Sequence, residues 1–313
     1  MSVLSALPSK DQFEQAASEL AIDPAVVEKD WYVTKVLALL ANSHFLGFRI
    51  VFSGGTALSK AHGLIQRFSE DIDFLLIAED TSPSRKALSG IKNAVLSVLH
   101  EAGFRIDGES VRASDGNKFF AAAIQYDTYF DSHNGLRPHI QIEVKFLSPR
   151  LPVLSRSVQS FLGKLMQKPP EVEQIACIAP IECAADKLSA LAWRVPNRQH
   201  NEDPNDRALV RHIHDLAAME SILETDIRFP GLVIAVMHQD KNRAKNVPAF
   251  SALPIAEKFQ MMLDILDQNV GYPQEYNQFV KSVSYASAGT EPDFEEAMIA
   301  VKRLVKIALE SGR

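Results

Sequence analysis

Cysteine is nearly absent: two residues, Cys177 and Cys183, in a chain of 313. They do not form a C-x-x-C pair, so neither a disulfide framework nor a cysteine-ligated zinc site fits, and a reducing compartment does. Long apolar runs are missing as well. None approaches the roughly 20 residues needed to span a bilayer, so no membrane partner is expected. The opening residues, MSVLSALPSKDQFEQ, lack the basic-then-apolar order of a signal peptide, and the expected location is cytoplasmic. There is no excess of positive charge. A net charge of −6 argues against indiscriminate coating of nucleic acid, but it leaves open a basic groove on one face. Internal repeats and low-complexity tracts are lacking too.

What is present is ordinary soluble-protein composition, 46% hydrophobic and 23% charged, with length enough for one large domain or two modest ones. In IDPAVVEKDWYVTKVLALLANS, Asp23 can cap a helix and Pro24 suits its first position. Val27, Trp31, Leu37 and Leu40 then follow helical spacing, with Trp31 and Tyr32 taken as packing residues. FRIVF reads as a short strand, TALSKAHG as a short helix ending at Gly63, and DIDFLLI as a second strand. Ser82 and Pro83 open a longer helix stopped by Gly103. Strand-like runs follow in FRIDGES, KFFAAAIQYDT and RPHIQIEVKFL. Beyond SPRLPVLSRS nearly every periodic segment looks helical, with VPNRQHNEDPND as a solvated loop between the first two helices. The expectation is an α+β chain. Residues 1–150 form a mixed sheet with flanking helices, and residues 151–313 form a mainly helical domain.

The stretch FSGGTALSKAHGLIQRFSEDIDFLL (52–76) carries the chemistry. A strand running into Gly54 and Gly55, with a helix from Thr56, aims backbone N–H groups at one point, as an anion site requires. Ser53 and Thr56 can add hydroxyls, and Lys60 lies one turn further on. Taken alone, such a turn is more often structural. Asp71 and Asp73, however, leave the same face of a strand, while Ile72 and Phe74 point to the core. Two carboxylates side by side repel, and a divalent cation is the natural compensation. In HIQIEVKF, Glu143 lies opposite the apolar face and offers a third carboxylate if its strand adjoins the first. The alternative is a strand charge balanced by Lys145. Arg194 lies near the helix face of Lys187, where a basic stripe could meet phosphates, and Arg211 and Asp215 stand at i and i+4, where they can pair.

Taken in order, GGTALSK, RFSEDIDF, IECAADKLSALAWR and RHIHDL resemble the motifs of the AbiEii/AbiGii-type nucleotidyltransferase toxins, a polymerase-β-like family that includes the MenT toxins. VEKDWYVTKVL resembles the segment that precedes the glycine motif. The resemblance implies that Gly54, Gly55 and Thr56 meet nucleotide phosphates, supported by Ser53, Lys60 and Ser69. It implies Asp71 and Asp73 as ligands of Mg2+ or Mn2+, Lys187 at the triphosphate, and Arg211 and Asp215 on a further site helix. Glu143 as third ligand is inferred from strand alternation. The implied activity moves a nucleoside monophosphate from a triphosphate to an acceptor. That acceptor is expected to be RNA, the 3′ end of tRNA, with a cognate antitoxin as partner. The alternatives are transfer to a protein or small molecule, and an inactive nucleotide-binding module.

Overall fold

A short capping motif starts the chain's first helix. Ser9 Oγ accepts from Gln12 N at 3.3 Å, and Gln12 Oε1 accepts from Ser9 N at 2.9 Å, so α1 (Lys10–Leu20) begins with its free N–H groups satisfied. Asp23 caps α2 (Pro24–Ala41) through Ala25 N at 2.8 Å, and Pro24 occupies its first turn, as the sequence predicts. The computed structural model describes residues 7–45, 47–78, 83–130, 136–200, 206, 208–244, 247, 249–287 and 289–310. The chain divides into two compact units, Met1–Ala179 and Pro180–Arg313.

The first unit is built on an eight-stranded sheet: β1 (Phe48–Ser53), β2 (Asp71–Ala78), β3 (Arg105–Ile106), β4 (Arg112–Ser114), β5 (Phe119–Gln125), β6 (His139–Phe146), β7 (Leu154–Val158) and β8 (Val172–Cys177). The strand order is β3-β5-β6-β2-β1-β8-β7, with β4 also pairing β5. β2 runs parallel to β6, and β1 runs parallel to β8. The other pairings are antiparallel. Alternation assigns the two faces. Phe52, Ile72, Phe74, Leu76, Ile140, Ile142, Val144 and Phe120 bury one face under α2 and α4 (Arg85–Glu101), in a core that also takes Trp31, Leu37, Leu88 and Val95. Ser84 caps α4, and the expected opening residue Ser82 lies outside the described residues.

Two expectations change here. The sheet does not end near residue 150, since β7 and β8 extend it and the first unit runs to Ala179. Three of the five residues of β7 are exposed, and its pairing with β8 carries an irregularity between Arg156 and Val158. An edge strand of this kind has little apolar alternation to read. FRIDGES yields only the two-residue β3 before a turn at Gly108–Ser110.

The second unit is helical: α6 (Pro180–His200), α7 (Ala208–Ala218), α8 (Glu220–Thr225), α9 (Phe229–Gln239), α10 (Ile255–Gln268), α11 (Gly271–Val283) and α12 (Phe294–Glu310). Helix α6 continues through Pro196 to His200, where a loop is expected from the sequence. Proline gives up one backbone hydrogen bond. Against that loss stand the buried Val195 and Pro196, the Arg198–Glu275 pair (2.6 and 3.0 Å) and the Arg194–Asp206 pair (2.6 and 2.8 Å). The rest of that expected loop, residues 201–205, lies outside the described residues.

Candidate active site

Asp71 and Asp73 leave the same face of β2, opposite the buried Ile72 and Phe74. The sheet register extends this pair into a row. Asp73 stands opposite Ser53 of β1 on one side and Glu143 of β6 on the other, and Asp71 stands opposite Gln141. Cross-strand partners point the same way, so Ser53, Asp73 and Glu143 share one face on strands about 4.8 Å apart.

The glycine turn packs directly against this row. Helical structure starts at Gly54–Thr56 (α3) and continues as a π-helical turn, Ala57–Ala61. Gly54 has φ +75°, and a Cβ there would overlap Asp73 Oδ2 and lie 2.7 Å from its Cγ. A Cβ on Gly55 would lie 2.8 Å from Arg67 Nη2 and 3.1 Å from Ser69 Oγ. Only glycine allows so close an approach at Gly54, where the positive φ adds to the overlap, whereas at Gly55 the Arg67 and Ser69 side chains would have to shift. Buried Thr56 donates its hydroxyl to the Asp71 carbonyl oxygen, which pins the turn to β2 and differs from the phosphate contact expected of that side chain. Ser53 makes no capping hydrogen bond to the helix.

Lys60 departs most from expectation. Its ammonium pairs with the buried Asp30 of α2 and lies 5.3 Å from the Phe161 ring centroid in α5 (Phe161–Leu165), with a side chain only 6% exposed. A lysine so placed neutralises an acid in the core. Its neighbours on α2 are equally committed. Glu28 accepts from the Thr128 hydroxyl and from Tyr129 N at 2.9 Å, and burial raises its pKa. Lys29 Nζ donates to Glu70 Oε2 at 2.5 Å and to the Arg137 carbonyl at 2.6 Å. Burial lowers the Lys29 pKa, and the Glu70 carboxylate opposes that shift. Arg137 in turn places Nη1 2.6 Å from Asp71 Oδ1.

The donor set suits a hard divalent cation. Two half-buried carboxylates on one face match Mg2+ or Mn2+, which take one or two carboxylates together with phosphates and waters. Glu143 adjoins the pair without closing a three-carboxylate cage, and its Oε2 is 3.5 Å from Lys145 Nζ. Among the described residues no three of His, Cys, Asp and Glu gather into a metal-holding group.

In the second unit, Lys187 of α6 lies 2.9 Å from Asp215 of α7, and Asp215 is fully buried. His214 contacts Asp215 at 3.4 Å and Glu291 at 2.8 Å. The Arg211 guanidinium lies 5.9 Å from the Phe279 ring centroid. Asp215 thus has Lys187 as a partner across two helices. Arg194, expected to extend a basic stripe from Lys187, is bound by Asp206.

The family model described as "Nucleotidyl transferase AbiEii toxin, Type IV TA system" matches residues 37–300. The chain belongs to this family. MenT4, a nucleotidyltransferase toxin from Mycobacterium tuberculosis, is a similar solved structure, with a TM-score of 0.45 at 16% identity over 93% of this chain and 98% of that one. No curated protein matches the chain. As an AbiEii nucleotidyltransferase it uses a nucleoside triphosphate, and the type IV toxin–antitoxin classification gives it an antitoxin counterpart. Among the described residues no helix is long and apolar enough to cross a membrane.

The AbiEii match begins at Leu37, so the Glu28-Lys29-Asp30 triplet lies outside it. Sequence reasoning passed over that triplet, and over Arg67, Glu70 and Arg137. One signal was available: three consecutive charges in the middle of an apolar helix cannot all face solvent. Arg67 is 3% exposed with its guanidinium over Gly55, a cation at the glycine turn where Lys60 was expected.

Proposed function

We propose that the chain is a metal-dependent nucleotidyltransferase toxin that moves a nucleoside monophosphate from a triphosphate to an RNA hydroxyl, the 3′ end of tRNA, in the cytoplasm. The observation that carries the reading is the packing of Gly54 against the Asp73 carboxylate. It sets a phosphate-type turn and a metal-type acid pair within one contact of each other.

Asp71 and Asp73 would hold Mg2+ or Mn2+, with Glu143 joining only by giving up Lys145. A metal bound there screens the triphosphate charge and favours the ionised acceptor hydroxyl. The turn at Gly54, Gly55 and Thr56 offers backbone N–H donors to the phosphates, with the Ser53 hydroxyl beside them and Ser69 bracing the turn. The gly-rich backbone and the buried Arg67 supply fixed positive potential, which needs no reorganisation as charge builds on the transferred phosphate. The roles of Lys187, Arg211 and Asp215 rest on the likeness of their helices to the family's motifs. The acceptor hydroxyl loses its proton to solvent as its oxygen bonds to the α-phosphorus, the bond from that phosphorus to the bridging β-phosphate oxygen breaks, and pyrophosphate leaves.

The test is incubation with each labelled triphosphate, Mg2+ and total RNA, with a protein fraction in parallel. Label in RNA, lost by about a hundredfold or more in Asp71→Asn and Asp73→Asn with folding intact, is the expected result. Label in protein alone would replace the acceptor. Full activity in both variants would remove the metal site.

A further inference from the structure

The buried pair Lys29–Glu70 has a consequence beyond stability. Both members are almost wholly shielded, with side chains 0% and 5% exposed and 2.5 Å apart. Together they fix both backbone polar groups of a single residue. Glu70 Oε2 accepts from Arg137 N at 2.9 Å, and Lys29 Nζ donates to the Arg137 carbonyl at 2.6 Å. Arg137 Nε also lies 3.9 Å from Glu70 Oε1. A residue held at its N–H and its C=O by a shielded ion pair has its Cα placed accurately. The side chain it presents is 44% exposed and ends 2.6 Å from Asp71 Oδ1. The buried pair thus spends its geometry on delivering one guanidinium to one carboxylate of the acid row.

We infer that Arg137 is a displaceable counter-ion of Asp71, positioned by Lys29 and Glu70. The inference rests on the reading of Asp71 and Asp73 as metal ligands. A guanidinium and a divalent cation compete for the same carboxylate lone pairs. A cation binding at Asp71 must therefore release Arg137 from Oδ1 or share that oxygen with it. Until then the guanidinium balances the like charges that β2 crowds together. Partial exposure keeps the contact weak enough to yield. Arg137 is a positioning residue acting through Asp71, and its signature is opposite to that of a merely structural residue. Losing a structural support would weaken metal binding, whereas losing a competitor strengthens it.

The experiment is Mn2+ binding without nucleotide, read from the free-ion electron paramagnetic resonance signal, on folded full-length variants. Arg137→Gln is expected to tighten Mn2+ binding by about threefold, the scale of a partly exposed ion pair. Arg112→Gln is the control. Arg112 stands opposite Ala121, which stands opposite Glu143, so it removes the same charge from the same face further along the row. It is expected to leave binding unchanged. Unchanged or weaker binding in Arg137→Gln, or equal tightening in Arg112→Gln, overturns the counter-ion role and leaves the metal site standing. Wild-type binding in Asp71→Asn removes the metal reading itself, and the inference with it.

Discussion

Helix α2 and the acid row handle charge in opposite ways. Glu28, Lys29 and Asp30 are each no more than 1% exposed, and each has a partner supplied by a different segment: the residues after β5, the residue just before β2, and the π-helical turn with α5. Asp71, Asp73 and Glu143 are carboxylates on neighbouring register positions, all only half-buried. Charges fully compensated inside the chain serve as scaffold, because a shielded ion tolerates no vacancy opposite it. Like charges gathered at a half-open surface, with the partly exposed Arg137 and Lys145 as counter-ions, suit exchange with a cation from solution. The contrast separates residues that hold the fold from residues proposed to hold a ligand, although both groups are equally charged.

The strongest way to break the contrast is at Lys29. Lys29→Met leaves Glu70 shielded without its ammonium, and stability should fall by about 3–5 kcal/mol in urea unfolding. A loss below about 1 kcal/mol, the range of exposed pairs, would mean the pair is better hydrated than its burial indicates.

Gly54 tests the opposite region. Gly54→Ala places a methyl group on Asp73 at a positive φ, with an expected stability loss of about 2 kcal/mol. Nucleotidyl transfer should fall far more than stability, because the clash moves a proposed metal ligand. Equal activity per folded molecule would show that Asp73 can shift without consequence.

The smallest effect concerns His62, whose Nε2 meets the Ile178 carbonyl at 3.0 Å. Burial lowers its pKa below the ordinary 6.5. The folded state therefore binds fewer protons than the unfolded one near that pH. Its contribution is fully present above pH 6.5 and is lost as pH falls through the lowered value. Thermal unfolding from neutral to mildly acidic pH should show this decline, and His62→Gln should flatten it. His139, lowered chiefly by burial, retains its own share. An identical pH slope in the variant would assign the decline to other groups, His139 among them.

The glycine turn, the acid pair and their strands were legible in the sequence because each depends on neighbours within a few residues. Two-residue alternation in DIDFLLI and HIQIEVKF sends the acids to one face and the apolar side chains to the other, and register then aligned Glu143 with Asp73. The pairing of Lys60 with Asp30 was not legible for the converse reason. The two lie 30 residues apart, and nothing local distinguishes a lysine that will be buried from one that will not. β7 was hidden because an edge strand with an exposed S-R-S centre has no apolar rhythm. α6 outran its expected end because packing at Val195 and distant partners for its arginines outweighed one proline.

The sequence by itself determined which chemical groups are available and on which side of their elements they emerge. Periodicity is a property of the backbone, and it acts before the chain has folded. The tertiary structure alone decided which charges meet. It sent Lys60 and Lys29 inward to Asp30 and Glu70, and Arg137 outward to Asp71, because pairing energy depends on distance and burial that only the assembled sheet and helices supply.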